Sequence, residues 1–301
     1  MGRSEAAQAV CNRYRFIDDL DAKGKPQHRH ELDGKPLQGT STVLSVLQKF
    51  GITWWASRLA CESLGWSHPN IDGTRKKKPL EDRLAVLTPR YEEIQQMGPE
   101  AFLGCLDEAY RAHSVKLDTS ADAGTDMHAC LEAAVKWCIK NNDGKPVPFH
   151  PGNDGTQPPA VDIFSTWARV NVSRFIASEA HCYSERLWTG GIFDLLYRDN
   201  DDKLVLFDFK SSKETYASHF LQNAGYDIAV RENGLFTSDG EPLGIDLGGE
   251  EIAYYGVFPF GAKVPQPEFS YEKGWTTAEL RKVFEHCVDI YKFLSPTMNK
   301  F

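Results

Sequence analysis

The sequence predicts an α/β protein: a central mixed β-sheet flanked by helices, behind a mainly helical N-terminal region. Three observations predict it. Apolar residues recur at helical spacing through much of the first half. Two apolar runs flank a polar turn near residue 200, the pattern of a β-hairpin. A further helix, a strand and a capped amphipathic helix follow, and helices alternating with strands in this way build layered α/β structures.

In chain order, residues 13–40 read as short strands and turns, with turn chemistry at Asp21–Pro26 and at Asp33-Gly34-Lys35-Pro36. Val43, Leu44, Val46, Leu47, Trp54, Trp55 and Leu59 give helical periodicity from Ser41 to Leu64. Ser67–Pro79 is polar and loop-like. A second helical region is expected from Tyr91 to Val115, broken at Gly98-Pro99 because proline removes a backbone donor. A third helix is expected to begin near Gly124-Thr125 and to end at Asn141–Gly144. Gly144–Pro159, with five prolines and three glycines, reads as an irregular connection. Val161, Phe164 and Ala168 mark another helix face, residues 178–212 read as strands, 215–232 as a helix and 251–258 as a strand. Thr276-Thr277-Ala278-Glu279 has the form of a capping box. It opens a helix whose stripe is Leu280, Val283, Phe284, Cys287, Tyr291 and Leu294.

Composition narrows the classes. With 301 residues, 41% hydrophobic and 25% charged, the chain has the profile of a soluble globular protein long enough for a substantial core. No apolar run approaches the ~20 residues of a membrane span, and the N-terminus lacks a secretory signal, so a cytoplasmic protein is expected. Seven scattered cysteines without a Cys-x-x-Cys pair favour reduced thiols and argue against a zinc ribbon or an iron–sulfur cluster. A net charge of −8 disfavours a broadly basic nucleic-acid surface, although a local basic groove can sit on an acidic protein. The dense basic run is Arg75-Lys76-Lys77-Lys78, either a solvated loop or a contact to a phosphate backbone.

The chemistry concentrates in the hairpin Gly190–Tyr197 and Lys203–Lys210. Both runs are apolar on both faces, as in strands covered on both sides, yet Asp194, Asp208 and Lys210 lie inside them. Buried charges are costly unless paired or bound to metal. If the turn centres near Asp201, Asp194 and Asp208 stand opposite one another, with Cβ atoms ~4.5–5.5 Å apart, and Lys210 shares the face of Asp208. Paired carboxylates suit a hard Mg2+ or Mn2+ ion, and a neighbouring lysine suits a developing phosphoryl charge. The bland alternative is a buried salt bridge.

The segment Asp194…Asp208-Phe209-Lys210-Ser211-Ser212 resembles the Asp…(Asp/Glu)-x-Lys core of the PD-(D/E)XK nucleases. Gly124-Thr125-Asp126-Met127-His128 is similar to the Gly-Thr-x-x-His helix of the RecB-like branch, and Gln222-Asn223-Ala224-Gly225-Tyr226 to its Gln-x-x-x-Tyr motif. The four elements stand in order over about 100 residues, and Leu37–Trp55 is similar, less specifically, to the leading region of phage-type members. Ser211 stands where such proteins often carry Thr, keeping the hydroxyl.

The resemblance implies a restriction-endonuclease-like core over 119–301, with 1–118 forming part of a DNA cleft. It implies a Mg2+-dependent DNA exonuclease of recombination or repair, in which Mn2+ substitutes. His128, Asp194 and Asp208 would be metal ligands, with Asp194, Asp208, Lys210, Glu179, Gln222 and Tyr226 in the catalytic set. Glu185 competes with Glu179 for the place of an acid ahead of Asp194. DNA contacts would fall to Arg75, Lys76, Lys77, Lys78, Ser211, Ser212 and Lys213. DNA is the implied partner, with a single-strand-annealing or recombination protein as a second. If phage-encoded, the protein would work in the cytoplasm of a bacterial host. The alternatives are a structure-specific or restriction-like endonuclease of the same fold and a non-catalytic nucleic-acid-binding protein. Residue by residue, His128 also fits a core histidine, and Gln222 and Tyr226, at i and i+4, also fit simple packing. His28-Arg29-His30 is expected at the surface, and His113, His150, His181 and His286 carry no pattern.

Overall fold

The structure, a computed structural model, describes residues 13–20, 26–47, 50–71, 74–149 and 159–295. Its contacts divide the chain into two units, Met1–Leu47 with Gly124–Phe301, and Gln48–Ala123. Where one boundary near residue 118 was expected, the first 47 residues thus belong with the C-terminal body.

That body is a mixed α/β structure. Strands β1 (Tyr14–Leu20) and β2 (Pro26–Leu32) form an antiparallel hairpin, joined by β3 (Lys35–Pro36). Asp33 and Gly34 turn the chain with positive φ, as the Asp-Gly pair predicts. A second sheet has the order β4-β6-β7-β8-β9, with β5 also paired to β6. Its strands are β4 (Gln38–Gly39), β5 (Val172–Ser184), β6 (Thr189–Asp199), β7 (Leu204–Lys210), β8 (Ile252–Pro259) and β9 (Glu268–Phe269). Strands β5, β6 and β7 run antiparallel, whereas β7 and β8 are parallel. A parallel pair needs a crossover, and the helix Ala217–Asn233 lies in that connection.

The short helix α1 (Thr40–Val43) ends in a 3-10 turn at Leu44–Val46, so the helix expected over Ser41–Leu64 is interrupted; it resumes as α2 (Phe50–Ser63). Helix α3 (Leu80–Gln95) begins eleven residues ahead of the expected Tyr91 and contains Pro89. The Gly98-Pro99 break is present. Beyond it α4 (Pro99–Asn141) is one continuous helix of 43 residues, where two helices with a start near Gly124 were expected. Gly124 is therefore helical, although glycine costs roughly 1 kcal/mol against alanine there and Asp118, Thr119, Ser120, Asp122, Thr125 and Asp126 around it are themselves weak helix formers. Helix α5 (Pro159–Asn171) buries Val161, Phe164 and Ala168 as expected; His150 and most of the preceding connection lie outside the described residues. Helix α6 (Ala217–Asn233) and α7 (Thr277–Leu294) complete the body. The Thr276 capping box is formed: Glu279 N–H donates to Thr276 Oγ1 (3.2 Å) and Thr276 N–H to Glu279 Oε2 (3.0 Å).

Two apolar layers cover the large sheet. One joins Phe193, Leu196, Leu206 and Val257 to Tyr226 of α6 and Phe284 of α7. The other joins Leu195, Tyr197, Phe207 and Phe209 to Leu131 and Val135 of α4 and Phe164 of α5. Strand β7 is thus buried on both faces, as its apolar run predicts. Gly256 lets the Phe207 ring lie against β8, since a Cβ there would come within 2.3 Å of that ring.

The other unit holds α2, α3 and the first part of α4, with a loop between α2 and α3 closed by the bridge Asn70↔Lys77. Helix α3 buries none of its residues; Leu80, Leu84, Leu87 and Tyr91 are exposed along it. Among the described residues no helix is long and apolar enough to cross a membrane.

Candidate metal centre

The expected hairpin register holds. Leu195 pairs with Phe207, Leu196 with Leu206 and Tyr197 with Val205, so one further step sets Asp194 opposite Asp208. The ladder stops there because the Asp194 carboxylate takes over a backbone donor: Phe209 N–H donates to Asp194 Oδ2 at 2.5 Å. On the other side of β6, Ser178↔Leu195 and Ala180↔Phe193 bracket Glu179 and Asp194. Side chains alternate along a regular strand, so residues three apart face opposite ways. Yet Ala177 and Ala180 face the same apolar layer, as do Phe193 and Leu196. Both strands therefore switch face together around Glu179 and Asp194. Of these two acids, Glu179 has the left-handed backbone, φ 51°, costly for a non-glycine residue and of a kind found where the surroundings enforce it. It lies midway along β5 rather than at its start.

Helix α4 brings His128 to the same place. One atom each from His128, Glu179 and Asp194 lie within 4.8 Å of one another, and His128 Nδ1 is 3.8 Å from Asp194 Oδ2. The His128 ring meets the edges or faces of Phe209 and Phe260 at 6.0 and 5.4 Å between centroids. Burial holds its pKa below the usual histidine range, which keeps the imidazole neutral and its lone pair available. Asp208 is 1% exposed, lies outside this triad and forms an ion pair with Lys210. Neither of its oxygens accepts a well-formed hydrogen bond among the described residues.

The electrostatics of the group are those of crowded acids. Burial, opposed by Lys210 and reinforced by Glu179, lifts Asp194 to about 6. Burial, opposed by Lys210 and reinforced by Asp194, lifts Asp208 to about 7. Glu179 also rises to about 7, first from burial and then from Glu132. Burial works against the charge of Lys210, but Asp208 and Asp194 outweigh it and keep the ammonium protonated. Three acids held near neutrality around one lysine lack positive charge, and a divalent cation would supply it. The donor set, one imidazole and carboxylates with an underused buried Asp208, fits such an ion.

The remaining expected residues divide in two. Gln222 Nε2 donates to Tyr226 Oη at 2.6 Å, along one face of α6. Tyr226 is buried and its pKa is raised, first by burial and then by Asp208 and Asp194, so it stays a phenol beside the acids. It packs against Gly191, where a Cβ would come within 2.4 Å of its ring. Ser211, Ser212 and Lys213 form the loop after β7; Ser212 Oγ donates to the Glu214 carbonyl at 2.7 Å and Lys213 is exposed. Glu185 is engaged elsewhere, by Arg13 at 3.0 Å. Arg75, Lys76 and Lys77 are exposed in the loop of the other unit and Lys78 is half-buried.

One histidine departs from expectation, and a second, for which the sequence carries no pattern, lies beside it. His30 is buried rather than at the surface, its Nδ1 hydrogen-bonded to Tyr14 Oη at 2.7 Å, and His181 Nδ1 lies 3.4 Å from the same hydroxyl. Strand alternation around β2 and β5 signalled this: His30 and Leu32 lie two apart and are both buried. No protein-family model matches the chain, and no curated protein matches it.

Proposed function

We propose that this protein is a metal-dependent nuclease that hydrolyses DNA phosphodiester bonds and works as an exonuclease. The observation that carries the reading is the convergence of His128, Glu179 and Asp194 beside the buried Asp208–Lys210 pair. These residues come from one helix and three strands, and burial, with the mutual repulsion of the carboxylates, lifts the pKa of each acid toward neutrality. His128, Glu179 and Asp194, with Asp208 beside them, would hold Mg2+ or Mn2+. When bound, such an ion supplies Lewis acidity toward the phosphate and brings water into the range of a nucleophile at neutral pH.

The chain's own groups supply the rest. The Lys210 ammonium, fixed by Asp208, is a permanent charge for the phosphoryl oxygens as negative charge grows on them. Phe209 N–H fixes one oxygen of Asp194, which restricts how that carboxylate can turn. Tyr226 offers a neutral phenol held by Gln222, and Phe209 and Phe260 pack edge-to-face on His128 and restrict how its ring can turn.

End-labelled linear DNA and covalently closed circles, each with Mg2+, Mn2+ or EDTA, test the reading. Exonuclease activity degrades the linear substrate, spares the circle and stops in EDTA. Rapid linearisation of the circle would move the assignment to an endonuclease of the same site. Binding without cleavage in either metal would refute hydrolysis.

A further inference from the structure

Beside the acid centre, in the same body, lies a cavity of about 440 Å3. Its walls are the β1–β2 hairpin, through Phe16, His28 and Arg29, and the first turn of α1, through Thr40, Ser41 and Thr42. Its floor is Gly190-Gly191-Ile192 with Tyr226. We propose that it holds an unpaired nucleobase of the strand being cut, a reading that rests on the nuclease function above.

The lining suits a flat, uncharged heteroaromatic group. Phe16 and His28 stand with ring planes 2° apart, 6.2 Å between centroids, on the exposed hairpin. Aromatic faces of this kind take bases of any sequence by stacking. Around them Gln38, Ser41 and Thr42 offer amide and hydroxyl groups that match base edges. The basic side chains at the rim already have acids: Arg29 Nε meets Glu31 at 2.9 Å and His28 Nδ1 meets Asp18 at 3.1 Å. That charge balance favours the base over a phosphate. The size also fits, since small-ligand pockets start at roughly 300 Å3.

Position links the cavity to the cut. Ile192 and Gly190 lie two and four residues before Asp194 on β6, so at a strand rise of ~3.3 Å they stand roughly 7 and 13 Å from it along the strand. Stacked nucleotides advance ~3.4 Å each, which puts the bound base within about four nucleotides of the scissile phosphate. Tyr226 joins the two: it lines the cavity, packs on Gly191, and its ring lies 6.3 Å from that of Phe193, the residue before Asp194. A base can enter only when freed from its pair, so the strand must open next to the site.

Photocrosslinking of the full chain tests this. Once the wild-type protein has mapped the cut, 4-thiothymidine is placed in turn at each of the four nucleotides on either side of it. The complexes are irradiated in EDTA. The expected crosslink forms from one position only and maps to peptides holding Phe16 or His28. Ser41→Trp, at an exposed position, fills the cavity; it should remove that crosslink and lower kcat/KM about tenfold, while DNA with frayed ends should outperform fully paired ends in the wild type alone. Active wild-type protein that gives no crosslink to the cavity, or a Ser41→Trp variant that cuts and crosslinks as before, overturns the proposal and leaves the nuclease reading standing. A chain that neither binds nor cuts DNA with any cation overturns both.

Discussion

Two aspartates of the body are almost fully buried and are treated in opposite ways. Asp227, on α6, is 0% exposed and ringed by donors: Arg231 Nε at 2.8 Å, Arg281 Nη1 at 2.6 Å and Tyr255 Oη at 2.7 Å. Asp208, 1% exposed, has Lys210 as its cation and two further acids close by. A carboxylate surrounded by guanidinium groups is a tie between elements, here α6, α7 and β8. A carboxylate set among other acids is poorly matched in the folded protein by itself, and such mismatch is what a cation site requires before its ion binds.

The largest expected effect is on turnover. Asp208→Asn should lower DNA hydrolysis ~10^2–10^3-fold, because it releases the Lys210 ammonium aimed at the developing charge, and losing one such group typically costs that much. Lys210→Ala should do the same while keeping Mn2+ binding, measurable by paramagnetic relaxation of water. Full activity in Asp208→Asn would dissolve the distinction between the two aspartates.

Stability should separate them with the opposite sign. Asp227→Asn leaves Arg231 and Arg281 facing a neutral amide, and removing one partner of a buried ion pair costs roughly 3–5 kcal/mol. Asp208→Asn removes a charge that burial already opposes and leaves Lys210 with Asp194 as its partner, so the metal-free protein should keep its stability or gain ~1 kcal/mol. Urea unfolding in EDTA at pH 8 reads both, and equal losses would mean that both aspartates serve structure alone.

The pH dependence follows from the same contrast. Glu179 and Asp208 near 7 and Asp194 near 6 lie above their unfolded values of roughly 4, so the folded chain holds the extra protons. Their stabilising contribution is full below pH 4 and is lost as pH rises through 6–7. His30 near 3 and His181 near 4 lie below the unfolded value of ~6.5, so their contribution is full above 6.5 and is lost as pH falls. Between pH 6.5 and 8 the acids dominate. Metal-free protein should lose roughly 1–2 kcal/mol between pH 6.5 and 8, and Mn2+ at 100 times its Kd should add about 2.7 kcal/mol at pH 8 and less at 6.5. Thermal melts at the two pH values, with and without Mn2+, decide it: an identical Mn2+ shift at both would place the ion away from these acids.

How much of this was legible in the sequence depends on the kind of signal. The hairpin register was, because turn position and two apolar runs fix which residues oppose, and Leu195↔Phe207 lies where that rule puts it. The capping box was legible because it is local. The place of Glu179 was not: strand alternation breaks where both strands switch face, and no residue type in Ser178-Glu179-Ala180 announces a left-handed backbone. The triad of His128, Glu179 and Asp194, with Asp208 turned to Lys210, differs for that reason from the expected ligands His128, Asp194 and Asp208. The ties of Asp227 were hidden for another reason. Arg281 lies 54 residues away, and only packing of α7 on α6 brings it there.

The smallest effect is expected from charges that are neither tied nor crowded. Among the described residues, Arg75, Lys76, Lys77 and Lys78 sit in no ion pair. Their loop is nevertheless shaped: Lys78 N–H donates to the Pro69 carbonyl and Ile71 N–H to the Lys76 carbonyl, each at 2.8 Å. A chain of net charge −8 needs local cations to hold DNA, and lysines without an acid partner can serve without first giving one up. Each lysine that neutralises a duplex phosphate contributes ~0.9 to the slope of log affinity against log salt. Ala replacement of Lys76, Lys77 and Lys78 together should therefore flatten that slope by up to about 2.7 and weaken binding at moderate salt about tenfold. Cleavage at saturating DNA should stay near the wild-type rate, since affinity lost equally from substrate and transition state raises KM and leaves kcat alone. Fluorescence anisotropy across a salt series, beside single-turnover cleavage, reads the two separately. An unchanged slope would make the run a solvated loop; a fall in the saturated rate would mean that these lysines act on the reacting strand itself.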